Sequence, residues 1–190
     1  MNARRIAGMI FHPEAEWASI AREPPAVGVL LLRYVIPLCL IPSIATTIGM
    51  TYFSIGWNPL HGYALQGDRA LATGIANFAF LVLSILILAA IFHVLAKGER
   101  GARSTYASAL QVATYGAVPV LLSGVFLVIP VMVMLTLVAC LHSLYLYNGG
   151  LRTVLGVGTS ESTIMLGISI VGLCISSMAI GGIASALGLI

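Results

Sequence analysis

The chain has 190 residues, of which 59% are hydrophobic and only 8% charged, with a mean hydropathy of +1.05 and a net charge of +3. A soluble domain carries about 25% charged residues, and a chain this short cannot bury enough surface to hide the deficit. A soluble fold is therefore excluded and an all-α polytopic membrane protein is expected. The small positive charge is accounted for by membrane topology and leaves no basic patch, so no nucleic-acid partner is expected.

Residues 1–25 form the first unit. Their start, "MNARRIAGMIFHPEAEW", has the basic beginning of a signal peptide, but its apolar run is short and broken by His12, Pro13 and Glu14, so it is not read as one. Ile6, Met9, Ile10, Trp17 and Ile20 recur at helical spacing among Arg4, Arg5, Glu14, Glu16 and Arg22. Pro13 should split this helix and open a second one, with Glu14 and Glu16 in its first turn, where the helix dipole favours acids. The expectation is a bent amphipathic interfacial helix on the cytoplasmic leaflet, with packing beneath the bundle as the alternative. "EPP" at 23–25 ends it.

Residues 26–190 form the second unit, a transmembrane domain. Crossing the hydrocarbon as a helix takes about 20 mostly apolar residues. Five stretches qualify: approximately 26–50, 74–96, 104–123, 130–147 and 163–190. The apolar connection 124–129 must be a tight turn or a break covered by protein. Eight of the nine basic residues fall on one side, with only Arg69 opposite, so the N-terminus is expected in the cytoplasm and the C-terminus outside. In the outer loop 51–73, Tyr52, Phe53, Trp57 and Tyr63 suit an interfacial aromatic belt, and Tyr145 and Tyr147 its inner counterpart.

Polar residues inside the spans raise the question of a site. Arg33 lies about 10 Å into the first span at ~1.5 Å per residue. Pro37 removes the hydrogen bond to the Arg33 carbonyl and Pro42 the one to Leu38, so kinks are expected there, and at Pro119, which frees the Tyr115 carbonyl. In the third span Ser104, Ser108, Gln111 and Tyr115 share one face. Arg33, His93, Gln111, Tyr115 and His142 fall in one layer near the cytoplasmic side, which predicts a polar, cytoplasm-facing pocket. The alternative is that each only ties helices together. Asp and Glu are absent from every span, so no catalytic set, cofactor site or metal site is expected. Cys39, Cys140 and Cys174, odd in number and each within an apolar run, are read as packing residues. "GVG" at 156–158 is read as a flexible loop. In the fifth span Ser177, Gly181 and Ser185 repeat every four residues, a small-residue face for close helix packing or dimerisation.

The stretches "HPEAEWASIAREP", "RYVIPLCLIPSIATTIG", "ALQVATYGAVPVLLSGVFLVIP" and "LYLYNGGL" together resemble the bacterial branch of the Yip family, membrane proteins named for interacting with Ypt/Rab GTPases. The marks are Trp17, Tyr34, Pro37, Pro42, Gly49, Tyr115, Pro119, Pro130, Tyr145, Tyr147 and Gly150, in order across the chain. The resemblance implies a five-span architecture with a cytoplasmic N-terminus. The eukaryotic members bind trafficking GTPases through a long N-terminal region; here about 25 residues precede the first span, so GTPase binding is not carried over, and no catalytic residues come with the resemblance. The expected protein is a non-enzymatic scaffold or adaptor of a bacterial inner membrane, whose partners are the lipid bilayer, other membrane proteins or a second copy. The alternative is a transporter or channel-like protein whose polar pocket takes an anion or lipid headgroup.

Overall fold

The computed structural model describes residues 3–52, 67–99, 102, 104–129 and 132–186. Every regular element among them is helical: α1 Ala3–Phe11, α2 Pro13–Ile20, α3 Val27–Leu30, α4 Ile36–Tyr52, α5 Gly67–Lys97, α6 Tyr106–Gly116, α7 Val118–Ser123, α8 Val133–Thr153 and α9 Thr159–Ala186. A π turn, Leu31–Val35, joins α3 to α4, and a 3-10 turn, Gly124–Val128, follows α7. Val27–Tyr52, Ala70–Lys97, Met134–Thr153 and Thr159–Ala179 are each long and apolar enough to cross a membrane. Tyr106–Gly116 and Val118–Val128, bent by 41°, make a fifth when taken as one broken span. The result is an all-α polytopic membrane fold. Phe53, Trp57, Tyr63, Arg100, Arg103 and Pro130 lie outside the described residues.

The breaks follow from residue chemistry. Pro37 has no N–H for the Arg33 carbonyl, and the helix meets this by widening: the Ile36 N–H donates to the Leu31 carbonyl, five residues back. At Pro42 the helix continues, and Ser43, Thr47 and Thr51 turn their hydroxyls onto the carbonyls four residues earlier. Pro42 itself packs against Gly124, so spans one and three touch backbone to backbone. The segment expected as a connection, 124–129, is thus mostly the 3-10 continuation of the third span.

Thr105 starts α6 as a capping box: the Ser108 N–H donates to Thr105 Oγ1 (3.1 Å) and the Thr105 N–H to Ser108 Oγ (3.0 Å). The bend near Pro119 leaves the Val120 N–H looking for an acceptor, and Ser143 Oγ of α8 supplies one at 3.2 Å. Ser143 is buried. Ser143→Ala should leave that N–H without an acceptor and cost about 1–3 kcal/mol, read as a lowered midpoint of denaturant unfolding in detergent micelles. The α8–α9 turn is made at Gly156, whose φ of 71° favours glycine. Tyr147, expected at the membrane surface, instead packs on Gly116 and edge-on to Phe92 (5.7 Å) inside the bundle. Tyr145 is exposed.

The N-terminal helices differ from the first expectation. Met9, Trp17 and Ile20 are fully or almost fully buried, within the same core cluster as Leu38, Phe92, Val112 and Leu146. The apolar face that suits a lipid leaflet is covered by the bundle, because two adjacent glycines, Gly149 and Gly150, leave a seat on α8. A Cβ on Gly150 would lie 2.9 Å from the Trp17 ring and 2.8 Å from Val112.

Candidate functional site

The breaks in spans one and three bring two aromatic residues together. Tyr34 lies in the π turn and Tyr115 in the last turn of α6, just before the α6–α7 bend, and their rings meet edge-to-face at 5.1 Å. Both are buried. The cation that reaches this pair is Arg5 of α1, whose guanidinium carbon lies 5.9 Å from the centre of the Tyr115 ring. Such contacts contribute about 0.5–1 kcal/mol at partly exposed sites.

Arg5 is fixed by two acids. Its Nη1 donates to Glu23 Oε2 at 2.6 Å, its Nη2 to Glu23 Oε1, and its Nε lies 3.6 Å from Glu16. Ser19 donates to the same Glu23 carboxylate at 3.3 Å. One guanidinium therefore ties α1 to α2, to the residue before the proline pair, and to the polar layer of spans one and three. The Glu23 hydrogen bonds hold Arg5 firmly protonated. In return, chiefly through those bonds, Arg5 holds the Glu23 carboxyl below its ordinary value. A depressed carboxyl stabilises the folded arrangement above its unfolded pKa, and that contribution is lost as pH falls through the folded value. Acidification below the ordinary carboxylate range should therefore loosen α1 from the bundle. Trp17 fluorescence in a Trp57→Phe background should report the change at low pH, and Arg5→Met should remove its pH dependence.

Of the residues picked from sequence, the structure brings together Tyr115 and Gln111, both buried on α6. Arg33 does not join them. Its side chain is exposed on the outside of the bundle, where a long cationic side chain can run along the helix to the headgroups. His93 Nδ1 lies 3.0 Å from Ser104 Oγ, and its ring stands edge-on to Tyr106 at 6.4 Å. His142, half-buried on α8, lies 6.0 Å from the Tyr145 ring, and its Nε2 is buried without a partner among the described residues. Ser177 donates to the Leu173 carbonyl at 2.7 Å within α9, and Gly181 and Ser185 follow in the same helix. Among the described residues no three His, Cys, Asp or Glu side chains gather as a metal site would require. The residues that sequence reading missed are Arg5 and Glu23. The one local signal was an acid set immediately before "PP"; Arg22 stands beside it in the chain, and nothing there points to Arg5, 18 residues away.

The Yip1 domain profile matches residues 7–181. The inner membrane protein YohC of Escherichia coli K12 is 26% identical over 174 residues, covering 86% of this chain and 88% of YohC. YohC of Escherichia coli O6:H1 matches to the same extent. No solved structure matches.

Proposed function

The chain belongs to the Yip1 family, and on that premise we propose that it is a non-enzymatic scaffold or adaptor of a bacterial inner membrane, with its N-terminus in the cytoplasm. The observation that carries this reading is the use made of the polar groups. Arg5 closes over Tyr115, His93 faces Ser104, and Ser143 patches the broken third span, so these groups hold the bundle shut instead of lining a passage. The side left over is apolar: Leu32, Ile44, Leu137, Leu141 and Ile175 are all exposed, which suits lipid and other membrane helices. The inner-membrane location is taken from the YohC proteins, and the orientation from the excess of Lys and Arg on one side.

Proteoliposomes holding the purified protein should show no solute flux or lipid flipping above empty vesicles, and Gln111→Ala should change neither. Crosslinking from Leu137 or Ile175 in native membranes should recover the same defined membrane protein, or a second copy, from both positions. Flux that Gln111→Ala abolishes would sink the scaffold reading. A cysteine at Lys97 or Arg152 should be labelled only from the cytoplasmic side.

The second reading, a transporter for an anion or lipid headgroup, has one observation in its favour. The breaks of spans one and three coincide at Tyr34 and Tyr115, beneath a helix held by ion pairs. On that reading Arg5→Ala should open the layer and produce flux where the parent protein gives none.

A further inference from the structure

A cavity of about 610 Å³ lies between α2, the end of α8 and the start of α9, away from the Tyr34–Tyr115 layer. Its walls include a cation, Arg152, and an acid, Glu14, both exposed. The two face one space without pairing to each other; the ion pairs among the described residues are those of Arg5. Trp17 forms another wall. It is 2% exposed, and its indole Nε1 is buried with no acceptor among the described residues. That edge of the ring points to Gly149, which also lines the cavity; a Cβ there would lie 3.3 Å from Nε1. Thr159, the first residue of the 28-residue α9, completes the set with the N–H groups of a helix start that follows Gly158, a residue with no side chain to cap it. Glu161 folds back over Gly158 and answers part of that helix dipole. A bare anion would meet Arg152 but also two carboxylates.

These groups suit a ligand carrying both signs. We propose that this cavity binds a phosphate ester bearing a primary ammonium, the headgroup of an aminophospholipid. The phosphate lies against Arg152, the Trp17 N–H and the start of α9, and the ammonium against Glu14. Arg152 ends a membrane-crossing helix, which puts the cavity at headgroup level. The site uses none of the Arg5–Tyr115 contacts, so it stands apart from both readings of the protein's function.

The test uses the full chain with Trp57→Phe, which leaves Trp17 as its one tryptophan. Dihexanoyl phosphatidylethanolamine should shift Trp17 emission saturably, and about tenfold more weakly with Arg152→Ala or Glu14→Gln. Both residues are exposed, so unchanged unfolding temperatures should accompany the loss. Native mass spectrometry should show that Trp17→Phe retains less of the lipid. Binding of O-phosphoethanolamine as tight as the lipid would support the site and assign it a soluble ligand; much weaker binding would assign it the lipid. Equal binding of phosphatidylglycerol, equal binding of inorganic phosphate, or indifference to both charge variants would overturn the proposal.

Discussion

Trp17→Ala is expected to destabilise the protein by about 3–5 kcal/mol, the range for removing a buried aromatic side chain from a core that cannot collapse. Trp17 is 2% exposed, and its ring fills the space over Gly149 and Gly150. Nothing else on α2 is large enough to replace it there: Ile20 is already buried, and the exposed residues are short or charged. The variant should unfold earlier in detergent micelles, and its first 25 residues should be cut by protease before the spans are. Gly150→Leu attacks the same contact from the other side, where a Cβ alone would sit 2.9 Å from the indole. The two substitutions should therefore be less than additive, since residues in direct contact couple. Simple additivity, or a Trp17→Ala protein as stable as its parent, would show that the N-terminal helices are not seated as described.

Gly124→Leu should be the second severe change. A Cβ at Gly124 would press on the Pro42 ring and lie 2.8 Å from the Pro42 Cα. Main chain cannot swing aside as a long side chain can, so spans one and three must part. Overpacking of this kind costs about 1–3 kcal/mol and at times more. Gly28 and Gly167 provide the controls, because nothing among the described residues lies within 4 Å of a Cβ placed there. Leucine at either should be neutral or slightly stabilising, as expected for glycine replaced within a helix. Unfolding midpoints of the three variants side by side decide the matter, and equal midpoints would count against a backbone contact between the spans.

Span number and placement were legible because hydropathy over about 20 residues integrates many weak signals. The facing of each helix was not. In a soluble helix, polarity marks the outside; in a membrane, Leu32 and Leu38 look alike in sequence although one is exposed and the other fully buried. The polar stripe of the third span illustrates the limit. Ser104 faces His93, and Ser108, though buried, spends its hydroxyl on its own helix start, so only Gln111 and Tyr115 are left for a polar layer. Arg33 was the natural cation to place beside Tyr115, being at the right depth. The π turn and the docked α1 decided otherwise, and neither leaves a local pattern in the residues. The family marks are better understood afterwards, since many of them are contacts: Trp17 on Gly150, Tyr34 on Tyr115, and Pro42 on its glycine in the third span.

The seating of Trp17 has a consequence for biosynthesis. The α1–α2 segment rests on residues near 112 and 150, which are made much later than Trp17. At about 5–20 residues per second, its resting place is completed on the order of ten seconds after Trp17 is made. Through that interval Trp17 has no α8 to cover it, and the nearest apolar phase is the membrane surface itself. The amphipathic pattern can then serve two hosts in turn, the leaflet during translation and the bundle once α8 has inserted, so a segment made before its seat is among the last to settle.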